Sequence, residues 1–303
     1  MKKILLFSFA VIVIPYIIVT IFIRNDEITF NFSSNSVVRV YRNNTGVIEI
    51  VPIEEYVLGV LAGEMPIEFE LEALKAQAVA ARSYVMIQME RNSNKEYDVV
   101  DTVMNQVYLD NDYLMTVWKN SYTDNINKIK TAVLSTKGEY ISYNNKVAEA
   151  LFFSTSPGKT ENSEDVFFNK VAYLRSVDSS WDIISPVYTS QKAFTLINFY
   201  NALGLKYSES LDIKIIDTTE TGRIKKIKIN GKEYSGNEIC SILGLRSTYF
   251  EIVKSDNNVI VYNKGYGHGV GMSQYGAEGM AKEGYNYQDI LKHYYQGVEI
   301  KKF

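Results

Sequence analysis

A helical stretch interrupted by a proline, residues 54–91, constrains the fold of this chain more than any other feature. Pro66 disfavours helical geometry at the residue before it and can itself begin a new helix. The pattern therefore predicts two helices with Glu64 in a short non-helical corner between them. The second helix carries apolar residues at three- and four-residue steps: Leu71, Leu74, Ala78, Ala81 and Val85. This stripe predicts a face that packs on a core and holds the corner in place.

Glu64 is the carboxylate that this corner isolates. Its sequence neighbours from Leu61 to Ile67 are mostly apolar. Desolvation raises the pKa of a carboxyl group toward the range in which it can donate a proton at neutral pH. The other local glutamates are explained as first-turn acids that the helix dipole favours: Glu54, Glu55, Glu68, Glu70 and Glu72. For Glu64 two interpretations stay open, a catalytic acid and a solvated or capping residue.

The amino-terminal segment contains an uncharged run from Ile4 to Ile23, preceded by two lysines and closed by Arg24. At about 1.5 Å per residue this run is roughly 30 Å long, the thickness of the hydrocarbon layer. It predicts one transmembrane helix with a cytoplasmic N-terminus and an extracytoplasmic remainder. A cleaved signal peptide is the alternative, but the run is longer than a usual signal core and no small-residue cleavage pattern follows it. We expect residues 1–24 to be an uncleaved anchor in the cell membrane.

Composition limits the function of the rest of the chain. The net charge of −3 argues against a general nucleic-acid binder, which would carry a basic patch or stripe. The single cysteine, Cys240, excludes an intrachain disulfide framework. The roughly 280 residues after the anchor are enough for one large domain or two smaller ones.

Periodicity along residues 25–154 predicts strands and helices in mixed order. Alternating apolar residues predict strands at 28–32, 36–42 and 47–53, and residues 93–125 suit a surface loop with a short helix near 115–121. A helix at 125–136 leads to an alternating hairpin at 139–154 whose turn is Asn144-Asn145.

Residues 187–262 predict a smaller module. Its expected elements are a helix at 192–203, a strand at 223–231, a helix at 236–243 and a hairpin at 248–262. Together with the earlier elements, this pattern indicates an α+β fold.

Hydroxyl side chains cluster where the predicted strand 139–154 ends. Ser154, Ser156 and Thr160 could donate hydrogen bonds to a sugar or position a water molecule. Serines and threonines at a turn also often bond only their own backbone, and the sequence does not decide between the two.

A glycine-rich segment, residues 264–277, is the third unusual stretch. Five glycines in twelve residues let the backbone approach a neighbour closely. The alternative is a tight loop before a helix with Ser273 as its cap. A phosphate cradle is disfavoured because no Lys-Ser/Thr pair follows the glycines.

The three stretches together resemble the stage II sporulation protein D family. The similarity lies in GEMP with EFELEALKAQAVAARSY, in FFSTSPGKTENSEDVF, and in GYGHGVGMSQYGAEGMAKEGYNYQDILKHYY, and it spans roughly residues 35–303. It implies that Glu64 is the catalytic acid of a peptidoglycan lytic transglycosylase. It implies substrate-binding roles for Gln77, Arg82, Tyr84, Ser154, Ser156, Thr160, Tyr266, His268, Ser273 and Gln274.

The resemblance also implies a domain plan. The membrane anchor, residues 1–24, precedes a mixed α+β core formed by residues 25–186 and 263–303, which carries the cleft. Residues 187–262 form the smaller appended module.

The implied substrate is the glycan strand of peptidoglycan, and no cofactor is expected. The implied partners are stage II sporulation proteins P and M in the membrane that engulfs the forespore. A second hypothesis is a protein that binds wall glycan and activates a partner amidase without cutting, as related amidase-enhancer proteins are thought to do.

One position departs from the family pattern. Members often have histidine where Phe153 stands, and some bind zinc through nearby histidines and cysteines. Here only His268, His293 and Cys240 are present in the whole chain. A zinc site of four protein ligands is therefore not expected.

Overall fold

The computed structural model describes residue 27 and residues 36–303. The predicted membrane helix at 4–23 and the predicted strand at 28–32 lie outside these residues. Within the described part, no helix is long and apolar enough to cross a membrane.

The fold is α+β, as predicted, with short helices and strands alternating irregularly along the chain. The helices are α1 (Ile53–Glu64), α2 (Leu71–Arg91), α3 (Asn111–Trp118), α4 (Tyr122–Ser135), α5 (Ser163–Val166), α6 (Leu196–Ala202), α7 (Gly236–Leu243), α8 (Gln274–Lys282) and α9 (Tyr287–Tyr294). The first strands are β1 (Val37–Tyr41), β2 (Ile48–Pro52), β3 (Val99–Val100), β4 (Glu139–Tyr143), β5 (Lys146–Val147), β6 (Phe152–Phe153) and β7 (Thr189–Thr195). The later strands are β8 (Ile213–Thr218), β9 (Ile224–Ile229), β10 (Lys232–Ser235), β11 (Phe250–Ser255), β12 (Asn258–Lys264), β13 (Met272–Ser273) and β14 (Glu299–Lys302). Two 3-10 turns complete the set: Lys119–Ser121 and Ser180–Ile184.

The described strands form several small sheets. Their orders are β2-β1-β3, β10-β9-β8, β11-β12-β7, β13-β6 and β14-β4-β5. The β13–β6 pair is parallel and joins Met272 to Phe152 and Ser273 to Phe153. This short pair therefore brings together two motifs that are more than a hundred residues apart in the sequence.

Helix α2 lies at the centre of the main core. Leu74, Ala78, Ala81 and Val85 are completely buried and Leu71 is half-buried, which confirms the predicted apolar stripe. Alanines on its other faces are buried as well, because small side chains let α1, α4, α8 and α9 pack closely around it. The corner after α1 is thus held by a rigid element.

The second helix of the pair begins later than predicted. Pro66 does not open it; instead a turn forms in which the Phe69 N–H donates to the Pro66 carbonyl at 3.1 Å. The Glu70 N–H then donates to the Glu278 carboxylate at 2.6 Å, and α2 starts at Leu71. Contact with α8 therefore lengthens the corner between the two helices. Glu68 and Glu70 lie in this corner, so the prediction that they are first-turn acids was wrong.

The predicted helix at 192–203 was wrong in its first part. Residues Thr189–Thr195 are strand β7, which pairs along β12 with Lys192 opposite Val261. The helix α6 begins at Leu196, where the Thr195 side chain caps it. The hairpin turn at Asn144-Asn145 is confirmed, since both residues have positive φ, 49° and 62°.

The elements from β7 to β12 share a hydrophobic core of their own. Its centre contains Phe199, Tyr200, Ile227, Ile239 and Val261. This separate core supports treating 187–262 as a module, and its exact limits remain a proposal. Strand β12 leads directly into the glycine-rich segment.

Candidate active site

A cavity of about 600 Å³ lies where α1 ends, beside α2, β6 and the glycine-rich segment. Both polar and apolar side chains line it. They belong to Gly63, Glu64, Tyr84, Val103, Met104, Asn105, Leu151, Phe152, Phe153, Ser154, Tyr266, Gly267, His268 and Gln274. Glu64 is the one acidic residue in this set, so the cavity offers a bound molecule a single carboxyl group.

Glu64 is the last residue of α1, so it lies one position before the non-helical corner in which the proline break was predicted to place it. Met65 after it is extended, with φ −116° and ψ 136°. The Val107 N–H donates to Glu64 Oε1 at 2.7 Å, and the Gln274 side-chain amide donates to the Glu64 main-chain oxygen at 3.1 Å. Two distant segments therefore fix both the backbone and the carboxylate of Glu64.

Two glycines of α1 allow the first of these contacts. A Cβ at Gly59 would lie 2.5 Å from the Leu109 carbonyl oxygen, and one at Gly63 would lie 2.6 Å from the Val107 carbonyl oxygen. Both positions are on one face of the helix, four residues apart. The segment 107–109 can approach α1 only because these side chains are absent.

The surroundings of Glu64 raise its pKa. Burial is the largest cause, since a desolvated carboxylate loses the solvation of its charge. The Val107 N–H and the amide of Gln274 act in the opposite direction because they stabilise the charged form. Burial outweighs both, so the pKa lies above that of an exposed glutamate, which suits an acid that must exchange a proton near neutral pH.

The glycine loop, residues 265–271, forms the opposite wall. Gly265, Gly267, Gly269 and Gly271 all have positive φ, between 76° and 104°. A Cβ at Gly271 would lie 2.0 Å from the Leu151 carbonyl oxygen, and one at Gly267 would lie 2.9 Å from Phe153 Cβ. The glycines therefore serve a left-handed backbone and a close approach to residues 151–155. Ser273 caps α8, as the alternative interpretation held.

His268 lies in this loop between two phenylalanines. Its ring centroid is 5.6 Å from that of Phe153 and 5.5 Å from that of Phe167. Nδ1 accepts the Val270 N–H at 3.1 Å, so Nε2 carries the proton of the neutral ring. Burial and the nearby Arg223 guanidinium lower its pKa to about 4, against a smaller opposing effect of the Phe152 carbonyl. His268 is thus a neutral donor at physiological pH.

A buried carboxylate, Asp182, anchors the segments behind the cavity. It accepts hydrogen bonds from the Ser156 N–H at 2.8 Å and from the Ser179 and Ser273 hydroxyls at 2.5 Å each. Burial raises its pKa to about 6, while these three donors oppose the shift. Asp182 joins the end of β6 to the start of α8.

Six of the eleven predicted site residues line the cavity: Glu64, Tyr84, Ser154, Tyr266, His268 and Gln274. Three others are completely buried beside it and bond the local backbone. Ser156 accepts the Gly158 N–H, Thr160 accepts the Val177 N–H, and Ser273 caps α8. These three shape the wall of the cavity without lining it.

The structure places Gln77 and Arg82 in the protein interior, away from the cavity. Arg82 is completely buried and pairs with Glu54 at 2.7 Å. It also donates to the Glu139 carbonyl at 2.8 Å. Gln77 is completely buried too, and its amide has no hydrogen-bond partner among the described residues. Gln77 and Arg82 therefore belong to the buried interior and do not line the cavity. Glu54 is likewise more than a first-turn acid, because it balances a buried guanidinium.

Eight cavity residues were not predicted as site residues: Gly63, Val103, Met104, Asn105, Leu151, Phe152, Phe153 and Gly267. Asn105 donates to the Tyr84 hydroxyl at 3.1 Å. The loop at 101–106 has no hydrophobic period, so periodicity could not place it. The glycine pair of α1 was a signal for the segment that follows this loop, because without side chains at Gly59 and Gly63 residues 107–109 can approach the helix closely.

The donor set does not fit a zinc ion. Phe153 beside His268 offers no ligand atom, and His268 already uses Nδ1 to accept a backbone N–H. Within residues 36–303 and at residue 27, no group of three or more His, Cys, Asp or Glu side chains could hold a metal ion. Cys240 donates to the Ser247 carbonyl, and burial raises the pKa of its thiol to about 12.

Comparison with known proteins gives a consistent set of relatives. A family model described as Stage II sporulation protein matches residues 41–143. Stage II sporulation protein D of Bacillus amyloliquefaciens is 44% identical over 270 residues, covering 88% of this chain and 78% of that protein. The Bacillus subtilis (strain 168) protein of the same name is 46% identical over 268 residues, covering 87% and 78%.

A more distant relative carries a different name. Amidase enhancer of Bacillus subtilis (strain 168) is 30% identical over 300 residues, covering 81% of this chain and 40% of that protein. The two sporulation proteins match along 88% and 87% of this chain, and this chain covers 78% of each of them. On that similarity the chain belongs to the stage II sporulation protein D family.

Proposed function

We propose that this chain is a membrane-anchored lytic transglycosylase that cleaves the bond between N-acetylmuramic acid and N-acetylglucosamine in peptidoglycan during sporulation. The observation that carries the proposal is the position of Glu64. It is a partly buried carboxyl group with a raised pKa, fixed by two other segments, in a cavity large enough for sugar rings.

The number of acids in the cavity supports a transglycosylase over a hydrolase. Hydrolytic glycosidases generally use two carboxyl groups, roughly 5–10 Å apart. Here Glu64 is the one acid among the cavity residues that the structure describes. A lytic transglycosylase needs no second carboxylate, because the nucleophile is a hydroxyl group of the substrate itself.

The reaction uses Glu64 twice. The Val107 N–H occupies Oε1, which leaves Oε2 as the atom that can carry a proton. Protonated Glu64 gives that proton to the glycosidic oxygen as the bond to C1 of the muramic residue breaks. The carboxylate then takes the proton of the C6 hydroxyl, whose oxygen closes onto C1 and forms a 1,6-anhydro end. Glu64 ends protonated and ready for another cycle.

Neutral polar groups around Glu64 position the sugar in this proposal. His268, Tyr84, Ser154 and Gln274 line the same cavity and offer hydrogen-bond donors or acceptors to hydroxyl and acetamido groups. Tyr266 presents a half-exposed ring on which a pyranose face can pack. Because these groups are neutral, Glu64 is the residue that transfers the proton in this proposal.

The setting is also proposed. Residues 1–24 would anchor the chain in the cell membrane, with a cytoplasmic N-terminus and the catalytic part outside. Stage II sporulation proteins P and M would be its partners during forespore engulfment. A mature soluble form beginning near Asn25 would contradict the anchor.

A second candidate function is supported by the amidase-enhancer relative. The chain would bind wall glycan in the same cavity and activate a partner amidase without cutting. Mass spectrometry of purified glycan strands incubated with the chain separates the two functions. We expect fragments with 1,6-anhydro ends, and strands that stay intact would favour the enhancer.

A further inference from the structure

A second cavity, of about 210 Å³, adjoins the catalytic one. The two share Gly267 and His268. The remaining wall comes mainly from the smaller module, and its charged members are Arg223 and Arg246. No acidic residue lines this cavity, so its walls carry positive charge and neutral polar groups.

Arg246 is the accessible cation of the second cavity. Its guanidinium lies over the Tyr266 ring, 5.5 Å from the centroid, and Tyr266 lines the catalytic cavity. Within the described residues Arg246 forms no ion pair, unlike Lys225 nearby, which pairs with Asp165 at 2.8 Å. Its charge is therefore available to a bound anion.

The backbone of Arg246 is held on both sides. Its N–H donates to Asn263 Oδ1 at 2.9 Å, and its carbonyl accepts the Gly267 N–H at 2.9 Å. The side chain therefore extends from a fixed point next to the glycine loop. A fixed base with a planar guanidinium suits the recognition of a carboxylate, which can accept two parallel hydrogen bonds.

Arg223 lies behind the same cavity as a buried charge. It is 2% exposed and donates Nη1 to the Gly267 carbonyl at 2.8 Å. Its Nε is 3.3 Å from Glu161 Oε1, but Nε and Nη2 have no hydrogen-bond partner in the described residues. Glu161 balances much of this charge. Arg223 therefore adds positive potential behind the cavity but does not make the main contact with a bound anion.

We propose that the second cavity is a carboxylate subsite for the glycan strand, with Arg246 as the residue that contacts the anion. The inference rests on the proposed function, because it takes the strand through the neighbouring cavity. A strand can carry carboxylates from two sources, the lactyl group of N-acetylmuramic acid and its stem peptides. Either would extend from a sugar bound near His268 toward Arg246.

The test measures binding and not cleavage. The whole 303-residue chain with Glu64→Gln is titrated with three glycan preparations: strands with free lactyl carboxylates, strands bearing stem peptides, and strands whose carboxylates have been converted to amides. Arg246→Gln is added to the same background. Lys254→Gln is the matched control, because Lys254 is exposed on β11 and its removal costs the same charge.

We expect Arg246→Gln to raise the Kd for at least one carboxylate-bearing strand by about threefold to tenfold at low salt and to leave the amidated strands unchanged. The preparation that responds identifies the source of the carboxylate. An equal loss on amidated strands, or no loss on any strand, would overturn the subsite. A carboxylate-dependent loss with Arg246→Gln, together with a parental chain that releases no glycan fragments, would keep the subsite and reject the transglycosylase.

Discussion

The chemistry of the site depends on how Glu64 is solvated. Burial favours its protonated form, whereas one backbone N–H and one amide favour the charged form. A glutamate whose pKa is raised by burial can serve as acid and then as base. The proline break predicted a corner at this point, although Glu64 itself is still the last residue of α1. The opposing donors come from residues 43 and 210 positions away, which no local pattern could have supplied.

The titration of His268 predicts how acid affects stability. The pKa of His268 is about 4 in the folded chain and near 6.5 when unfolded, so the unfolded state binds more protons between these values. Its contribution to stability is full above pH 6.5 and is lost as the pH falls toward 4. When the pH is lowered from 7 to 5, the free energy of unfolding should therefore fall by about 1–2 kcal/mol less in His268→Gln than in the parent.

Thermal or denaturant unfolding at the two pH values provides the measurement. Asp182 has a pKa raised to about 6 and acts with the opposite sign, which is why the variant must be compared with the parent at each pH. Equal acid sensitivity in His268→Gln and the parent would show that His268 is not held neutral.

Arg82 illustrates a residue whose role the sequence similarity alone did not resolve. It is completely buried against Glu54, and Glu54 Oε1 also accepts the Gly138 N–H at 3.0 Å. Arg82→Met leaves the Glu54 carboxylate buried and unpaired, so we expect a loss of about 3–5 kcal/mol in unfolding free energy.

The double variant Glu54→Gln/Arg82→Met provides the control for this prediction. Glutamine removes the unpaired charge and can still accept the Gly138 N–H, so the double variant should be more stable than Arg82→Met alone. A fully stable Arg82→Met chain with weakened glycan binding would return Arg82 to the substrate-binding residues.

At the scale of elements, local signals were predictable and long-range contacts were not. Helix α1 ends one residue later than expected before Pro66, Ser273 caps α8, and Asn144-Asn145 forms the expected turn, because each depends on a few neighbouring residues. Strand β7 was mistaken for helix because its conformation is decided by pairing with β12 along the whole strand.

The glycines of α1 provide a prediction at this scale. Alanine in place of Gly63 would favour the helix by about 1 kcal/mol. Its Cβ would lie 2.6 Å from the Val107 carbonyl, however, and a backbone atom cannot move aside cheaply. We expect a net loss of about 1–2 kcal/mol in stability, together with a fall in glycan cleavage because the Val107 N–H moves away from Glu64.

Ala62→Gly is the matched control for Gly63→Ala. It should cost about 1 kcal/mol in helix propensity while leaving cleavage unchanged, because it adds no atom beside segment 107–109. If Gly63→Ala were as active and as stable as the parent, the proposed role of this approach in holding Glu64 would be wrong.

For the whole molecule, the scarcity of metal ligands predicts independence from zinc. The chain has only two histidines and one cysteine to offer as zinc ligands. We expect the purified chain to contain no stoichiometric zinc and to keep its glycan-cleaving activity in EDTA. Activity that is lost in EDTA and restored by added zinc would show that the donor set was misjudged.

The central claim is that one carboxyl group, Glu64, performs glycan cleavage, and Glu64→Gln tests it most directly. Glutamine keeps the shape of the side chain and the bond from the Val107 N–H, but it cannot donate a proton to the leaving oxygen. We expect release of anhydro-ended fragments to fall by at least about 10²-fold, with little change in stability or glycan binding. Glu68→Gln, an exposed neighbour in the same corner, should cleave at the parental rate. Anhydro-ended fragments released by Glu64→Gln at the parental rate would contradict the claim.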